Sequence, residues 1–262
     1  MQKIKIIIRK EWAEVFKNKM VIFSVIFLPL MLTALPLGIL YFTQDAGMSD
    51  FSSEMPAEFE AVCPEGLSGG ECFQVYMVSQ FMLMFMIIPL IIPVNIAAFS
   101  VVGEKTNHSL EPLLATPITT SELLTGKNLA AAIPAVLATW VGFAIYAIGT
   151  ILISQSPGVT RAILDAKWLG AIFIVGPLMA ILSVNFSIMV SSRVNDVRAA
   201  EQISSVVMLP LLALFFAQVA GLIFINNLIV TIMAVVLVIV DIIFVYLAVR
   251  LFQRESILTR WK

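Results

Sequence analysis

The sequence predicts an all-α integral membrane protein with six transmembrane helices. Of its 262 residues, 60% are hydrophobic and only 13% are charged, which is about half the charged share of a soluble domain. A soluble fold of this length has too little interior to bury so much apolar surface. The apolar runs show no alternation of period two, so a β-barrel is excluded as well. A secreted module, a disordered chain and an ordinary cytosolic enzyme are therefore ruled out.

Residues 1–19 predict a helix that lies along the membrane interface. Ile4, Ile8, Trp12 and Val15 recur at helical spacing, and basic residues occupy much of the remaining surface. We expect the apolar stripe to enter the acyl boundary and the lysines to meet lipid phosphates. The alternative is a basic flank with no other role. A cleaved signal peptide does not fit, because the following apolar run is too long and no A-x-A site follows it.

Six apolar stretches are each long enough to cross a bilayer, which takes about 20 helical residues. The predicted spans are 20–43, 77–102, 129–154, 168–191, 203–225 and 228–251. Only Asn226 and Asn227 separate the last two spans, so a re-entrant hairpin in that region stays open. Seven prolines fall inside spans and predict bends: Pro29, Pro36, Pro89, Pro93, Pro134, Pro177 and Pro210.

The distribution of basic residues predicts the orientation. Fourteen of the 16 Lys and Arg residues fall on the side of the two termini, and the loop 44–76 has seven acidic residues and no basic one. Cytoplasmic loops are the ones enriched in Lys and Arg. We therefore expect a multi-pass protein of the cell membrane with both termini in the cytoplasm and residues 44–76 outside it.

One acidic residue, Asp241, lies deep inside a predicted span. An ionised carboxylate there costs about 2.5–3.5 kcal/mol on insertion scales, so it should face protein or water. It either contacts a substrate or ion, or it forms an interhelical hydrogen bond with Asn185 or Gln218; we slightly favour the hydrogen bond.

The two cysteines, Cys63 and Cys72, lie in the predicted outer loop. An oxidising exterior favours a structural disulfide between them, and two free thiols are the alternative. The single histidine, His108, has no cysteine near it, so the sequence predicts neither a metal site nor a catalytic triad.

The connection 103–127 predicts a short helix exposed to the cytoplasm. Ser109 can cap its start, Pro117 ends it, and Thr119 begins a second cap before Glu122 opens the third span. Leu110, Leu113 and Leu114 give this helix an apolar surface that needs a partner.

This connection resembles a segment of the permease subunits of type 2 ABC exporters. The similar stretches are residues 103–105 (GEK), 110–111 (LE), 113–117 (LLATP) and 126–127 (GK), with a departure at 106–108, where many relatives carry further charges and a glycine. Arg9-Lys10-Glu11, ahead of a first span that contains proline, is similar to the interfacial helix of that family.

The resemblance implies that the helix around 109–116 is a coupling helix that docks on a separate ABC ATPase. The implied coupling residues are Glu104, Lys105, Leu110, Glu111, Leu113, Leu114 and Pro117. It also implies a dimer of permease chains, two ATPase chains that hold ATP and Mg²⁺, contact with membrane lipid, and no nucleic-acid partner or cofactor on this chain.

The chain is accordingly expected to be a non-catalytic exporter permease. Leu67-Ser68-Gly69-Gly70-Glu71 differs by one residue from the LSGGQ signature of ABC ATPases, but it falls in the outer loop and the sequence contains no P-loop. We interpret the match as chance. The alternatives are an ion-driven secondary transporter built around Asp241 and a non-catalytic membrane scaffold.

Overall fold

The computed structural model describes residues 2–43, 69–107, 118–154 and 157–251. All regular structure in these ranges is helical, and six helical stretches are long and apolar enough to cross a membrane. The predicted all-α class and the number of spans are therefore confirmed. The six stretches are Val21–Phe42, Gly70–Thr106, Thr120–Ile153, Thr160–Ser191, Val197–Val219 and Asn227–Leu251.

The helices are numbered along the chain. In chain order they are α1 (Gln2–Val15), α2 (Lys19–Thr43), α3 (Gly69–Phe85), α4 (Ile88–Thr106), α5 (Thr120–Ile153), α6 (Pro157–Ile163), α7 (Ala166–Gly170), a π turn (Ala171–Val175), α8 (Gly176–Ser191), α9 (Val197–Ser204), a 3-10 turn (Ser205–Met208), α10 (Leu209–Val219) and α11 (Asn227–Leu251).

Four helical stretches, the second to the fifth, begin six or more residues before the predicted spans, because polar first turns are helical too. The second span starts with α3, whose first residues include Glu71. The third starts at Thr120, where the Thr119 hydroxyl accepts from the Glu122 amide and the Glu122 carboxylate accepts from the Thr119 amide. This capping box satisfies two otherwise unpaired amides, and it confirms the predicted cap.

The fifth span is shifted towards the N-terminus relative to the prediction of 203–225. It begins with the amphipathic α9, whose charged residues hid it from a hydropathy reading, and it ends at Val219. The chain then turns at Gly221, whose φ of 71° favours glycine. Residues 220–226 thus form a turn ahead of α11.

The interior of the protein is built around α4 and α8. In the most apolar part of the second span 72% of the residues are buried, against 11% in the last span. Two serines of α8 bind carbonyls of α4: Ser183 Oγ lies 2.5 Å from Leu90 O, and Ser187 Oγ lies 3.2 Å from Val94 O. Small hydroxyl residues of this kind allow close approach and satisfy their own polarity within a bilayer.

Prolines lie inside the spans as the sequence suggested. Pro29 and Pro36 occur within α2, Pro93 within α4 and Pro134 within α5. The π turn ends just before Pro177, which has no amide hydrogen to continue the regular pattern. π turns of this kind bend a helix and free a carbonyl. The Ile172 carbonyl accepts from the Trp140 indole at 3.4 Å.

We predict that Gly126→Ala will loosen the contact of α1 with α5. An added Cβ would lie 2.7 Å from Ile7 Cγ2 and 2.9 Å from Ile7 Cβ, so α1 must shift. Overpacking of this kind costs about 1–3 kcal/mol. Thermal unfolding of the purified chain, followed by tryptophan fluorescence, should show a lower midpoint.

Gly103→Ala is the matched control, because nothing lies within 4 Å of its added Cβ. It should leave the midpoint unchanged or raise it, since alanine is the better helix former. Equal midpoints for the two variants would mean that α1 does not rest on Gly126.

Candidate functional site

A buried group of charged residues joins α1, α4 and α5. The ammonium of Lys127 lies 2.8 Å from Glu11 Oε1 and 2.8 Å from Glu104 Oε2, and it donates to Ser100 Oγ at 2.7 Å. Ser100 in turn donates to Glu11 Oε2 at 2.5 Å. We call Glu11, Ser100, Glu104 and Lys127 the ion cluster. It links a residue of α1 and a residue of α5 to two residues of α4.

Lys10 closes the edge of the ion cluster. Its ammonium binds Glu104 directly, lies 4.0 Å from Glu11 Oε1 and is 3.8 Å from the exposed Glu14. Its side chain is 34% exposed, whereas those of Glu11 and Glu104 are 3% exposed. Glu11 and Glu104 thus face Lys10 and Lys127, and the charges of these four residues sum to zero.

The ion cluster fixes relative position more than it adds stability. Removing two charges from water costs about as much as their mutual attraction returns. Removing one partner is different, because it leaves an uncompensated buried charge at a cost of about 3–5 kcal/mol. The three helices therefore depend on one another at this point.

Further contacts hold α1 along the beginning of α5. The Trp12 indole donates to the Ala130 carbonyl at 2.9 Å, and Lys3 lies 3.5 Å from Glu122. Ile7, Glu11 and Val15 are buried. Of the predicted apolar stripe, Val15 is buried against protein, while Ile4, Ile8 and Trp12 are half-buried. Glu11 lies beside this stripe and pairs with Lys127.

Of the seven predicted coupling residues, the structure describes two, Glu104 and Lys105. Glu104 is buried within the ion cluster, and Lys105 donates to the carbonyls of Ser192 at 3.2 Å and Val194 at 3.5 Å. Lys105 thereby joins the end of α4 to the turn between α8 and α9. The remaining predicted coupling residues lie outside the described residues: Leu110, Glu111, Leu113, Leu114 and Pro117.

The structure does not bring Asp241 into hydrogen-bond contact with Asn185 or Gln218. Asn185 accepts from Asn128 Nδ2 at 3.0 Å and donates to the Ile181 carbonyl at 2.9 Å. Asp241 is buried, and neither of its carboxylate oxygens has a hydrogen-bond partner among the residues described. The interhelical bond that we favoured from the sequence joins Asn185 to Asn128 instead.

Cys72, near the start of α3, is disulfide-bonded. Cys63, the chain's other cysteine, lies outside the described residues.

Sequence reasoning missed the roles of Glu11 and Lys127. A usable signal was present for Glu11, which stands four residues from both Ile7 and Val15 and so interrupts an apolar helix face. Lys127 lies in the segment of the resemblance, yet its partners are 116 residues away at Glu11 and 27 residues away at Ser100. Such separations cannot be read from spacing.

We predict that Lys127→Ala will destabilise the protein by about 3–5 kcal/mol, because it leaves two buried carboxylates close together without a cation. The expected signs are a lower unfolding midpoint and faster proteolysis of α1. Lys167→Ala is the control: Lys167 pairs with Asp165 at 3.2 Å on a more exposed site, where such pairs contribute about 0–1 kcal/mol. Equal losses from both variants would contradict a special role for the ion cluster.

Comparison with known proteins agrees with the resemblance seen in the sequence. Residues 5–232 match the family model described as ABC-2 family transporter protein. This stretch contains the ion cluster and extends into α11. No curated protein matches the sequence significantly. Together with the six apolar helical stretches, the family match identifies a multi-pass membrane permease, and the chain belongs to the ABC-2 transporter family.

Proposed function

We propose that this chain is the permease of an ATP-driven exporter, and that a separate ABC ATPase drives it from the cytoplasmic face. The observation that carries the proposal is the ion cluster, which joins the last turn of α4 to the beginning of α5. The segment between these helices is the one that resembles a coupling helix. A displacement of that segment acts on both flanking helices and on α1 at once.

Glu104 and Lys127 are the residues through which this displacement passes. Glu104 lies two residues before Thr106, the last residue of α4, and Lys127 lies in the second turn of α5. Because their ion pair is buried and shared with Glu11, the two helix ends move together. Lys105 adds the turn between α8 and α9 to the same unit through its two carbonyl contacts.

The helix α5 is long enough to transmit a displacement across the full width of the membrane. It runs for 34 residues, which corresponds to about 50 Å. Pro134 lies within it and removes one backbone hydrogen bond. A bend at Pro134 therefore changes the direction of the part of α5 after Pro134 relative to the part before it. We propose that this bend, with the π turn ahead of α8, accompanies the change from an inward-open to an outward-open pathway.

The proposed assembly contains two permease chains and two ATPase chains. Large apolar side chains of α2 are exposed, including Phe23, Phe27 and Leu30, as are Phe216 of α10 and Ile242 of α11. In a bilayer such faces contact lipid or another chain, and they offer surface for a second permease. ATP and Mg²⁺ belong on the ATPase chains, since this sequence has no P-loop.

A secondary transporter built around Asp241 is the second candidate. Its support is the burial of Asp241 without a hydrogen-bond partner in the part of the chain described. Transport into inverted vesicles separates the two: an ATP-driven permease requires ATP and stops with vanadate, while an ion-driven one requires only the ion gradient.

We predict that Leu113→Asp combined with Leu114→Asp will release or uncouple the ATPase. Each leucine contributes about 1.5–3 kcal/mol if it is fully buried against the partner. Membrane insertion should be unchanged, because the substitutions lie outside the predicted spans. Affinity purification with mass spectrometry measures the P-loop ATPase that is retained, and vesicle transport measures coupling.

Glu111→Gln is the milder comparison, since charges at an interface rim affect association rates more than affinity. Single cysteines at positions 110–114 should crosslink to the ATPase, and those at positions 155–160 should not. A double aspartate variant that retains its ATPase and transports at the normal rate would refute coupling through this segment.

We also predict that both termini lie in the cytoplasm and that residues 44–76 are outside. After reduction, Cys63 or Cys72 should react with an impermeant maleimide in intact cells, because positive charges concentrate on the opposite side. A tag at either terminus should react only after permeabilisation. The reverse pattern would overturn the orientation and, with it, the site of ATPase binding.

A further inference from the structure

A cavity of about 500 Å³ lies between α2, α4 and α9. This volume is within the range of ligand sites in proteins, about 300–1,000 Å³. Its lining is divided between polar residues at the ends of helices and aromatic residues further along them. None of the ion-cluster residues lines it, so it is a separate feature of the fold.

The charged part of the lining carries a net positive charge. Lys19 is the first residue of α2, and Arg198 and Glu201 belong to the first turns of α9. Lys19 and Arg198 are exposed, and Arg198 interacts electrostatically with Glu201, three residues along α9. Two basic side chains and one acidic side chain thus surround the mouth of the cavity.

The apolar part of the lining extends away from these charges. Phe23 lies one turn further along α2, and it stacks on Phe27 with ring centroids 4.6 Å apart. On α4, Phe99 and Asn95 line the cavity, and Asn95 lies eleven residues before Thr106, which corresponds to about 16 Å along the helix. The cavity therefore runs from the charged boundary of the spans towards the interior of the bilayer.

The wall formed by α9 is held in place by packing and by a helix cap. Ala200 is buried against Ala98 and Val102 of α4. Asp196 accepts from the Ala199 amide at 2.8 Å and so caps the start of α9. Arg198 and Glu201 are consequently presented by a fixed helix rather than by a loop.

We propose that this cavity binds a phospholipid whose headgroup carries a net negative charge. The phosphate lies between Lys19 and Arg198, and an acyl chain follows Phe23 and Phe99. The order of the lining, basic at the membrane boundary and aromatic further in, matches the order of groups in such a lipid. The site rests on the proposed function only for its placement in the cytoplasmic leaflet, and it requires neither ATP nor the ATPase.

The test is lipid binding to the full chain, purified in dodecyl maltoside and followed by native mass spectrometry. Titration with phosphatidylglycerol should give one saturable adduct, and phosphatidylcholine should bind more weakly. Glycerol phosphate, which has the phosphate but no acyl chain, should not compete. Its competition at equal concentration would show a free-phosphate site and overturn the proposal.

Two double variants with equal loss of charge separate the site from general attraction. Lys19→Gln with Arg198→Gln should weaken phosphatidylglycerol binding about thirtyfold. Lys17→Gln with Arg193→Gln, which removes exposed charges from the connections just ahead of α2 and α9, outside the cavity lining, should leave it unchanged. Equal weakening by the two pairs would mean a diffuse surface effect and would contradict the site.

A cavity-filling variant provides a second, independent measurement. Asn95→Phe keeps every charge but occupies the apolar part, so it should abolish the adduct without changing the unfolding midpoint. Undiminished binding to this variant would overturn the proposed acyl-chain position. Efficient disulfide crosslinking between two copies of Phe23→Cys in the presence of saturating phosphatidylglycerol would assign the cavity to a second copy of the chain instead.

Discussion

The ammonium group of Lys127 constrains the arrangement of the bundle at the end where α4 finishes and α5 begins. A buried ammonium requires anionic and hydrogen-bonding partners, because an isolated buried charge is strongly unfavourable. Here the partners come from two other helices: Glu11 from α1, and Ser100 and Glu104 from α4. If any of the three helices moves away, at least one buried charge loses its partner. The need of Lys127 for these partners thus fixes the relative positions of α1, α4 and α5.

This condition explains why α1 behaves as part of the bundle. An amphipathic helix with basic residues is able to lie on a membrane surface without protein contacts. In this chain Glu11 lies beside the apolar stripe of α1, and a carboxylate is unfavourable in lipid. Its pairing with Lys127, supported by the Trp12–Ala130 hydrogen bond, makes the protein the better environment. Among the basic residues of α1, Lys3 and Lys10 pair with Glu122 and Glu104, and Lys5 and Arg9 remain exposed.

The sequence predicts the spans well because membrane insertion depends on a one-dimensional quantity, the summed hydropathy of about 20 residues. Summed hydropathy does not predict where a helix begins or ends, because capping and amphipathic packing determine those positions. Thr119 and Glu122 extend α5 beyond its apolar part, and α9 is helical although Arg198 and Glu201 interrupt the hydropathy. The ion cluster was not predictable, since pairing across 116 residues depends on how the helices are placed in three dimensions. Glu104 was recognised from the resemblance, but its burial was not.

The helix α4 connects the ion cluster with the proposed lipid site, and its geometry shows how. Asn95 and Phe99 are four residues apart and share one face of the helix. Ser100 and Glu104 are also four residues apart and share another face, rotated by about 140° from the first at 100° per residue. One face of α4 therefore meets α1 and α5 through charges, and the opposite side lines the cavity towards α2 and α9.

In the proposed exporter, a rotation or tilt imposed on α4 at Glu104 changes the width of that cavity directly. Because Ala98 and Val102 also hold α9, the cavity wall that carries Arg198 follows α4, while the wall that carries Lys19 belongs to α2. Opening or closing the cavity then amounts to a movement between these two walls, and a lipid phosphate held between Lys19 and Arg198 opposes their separation.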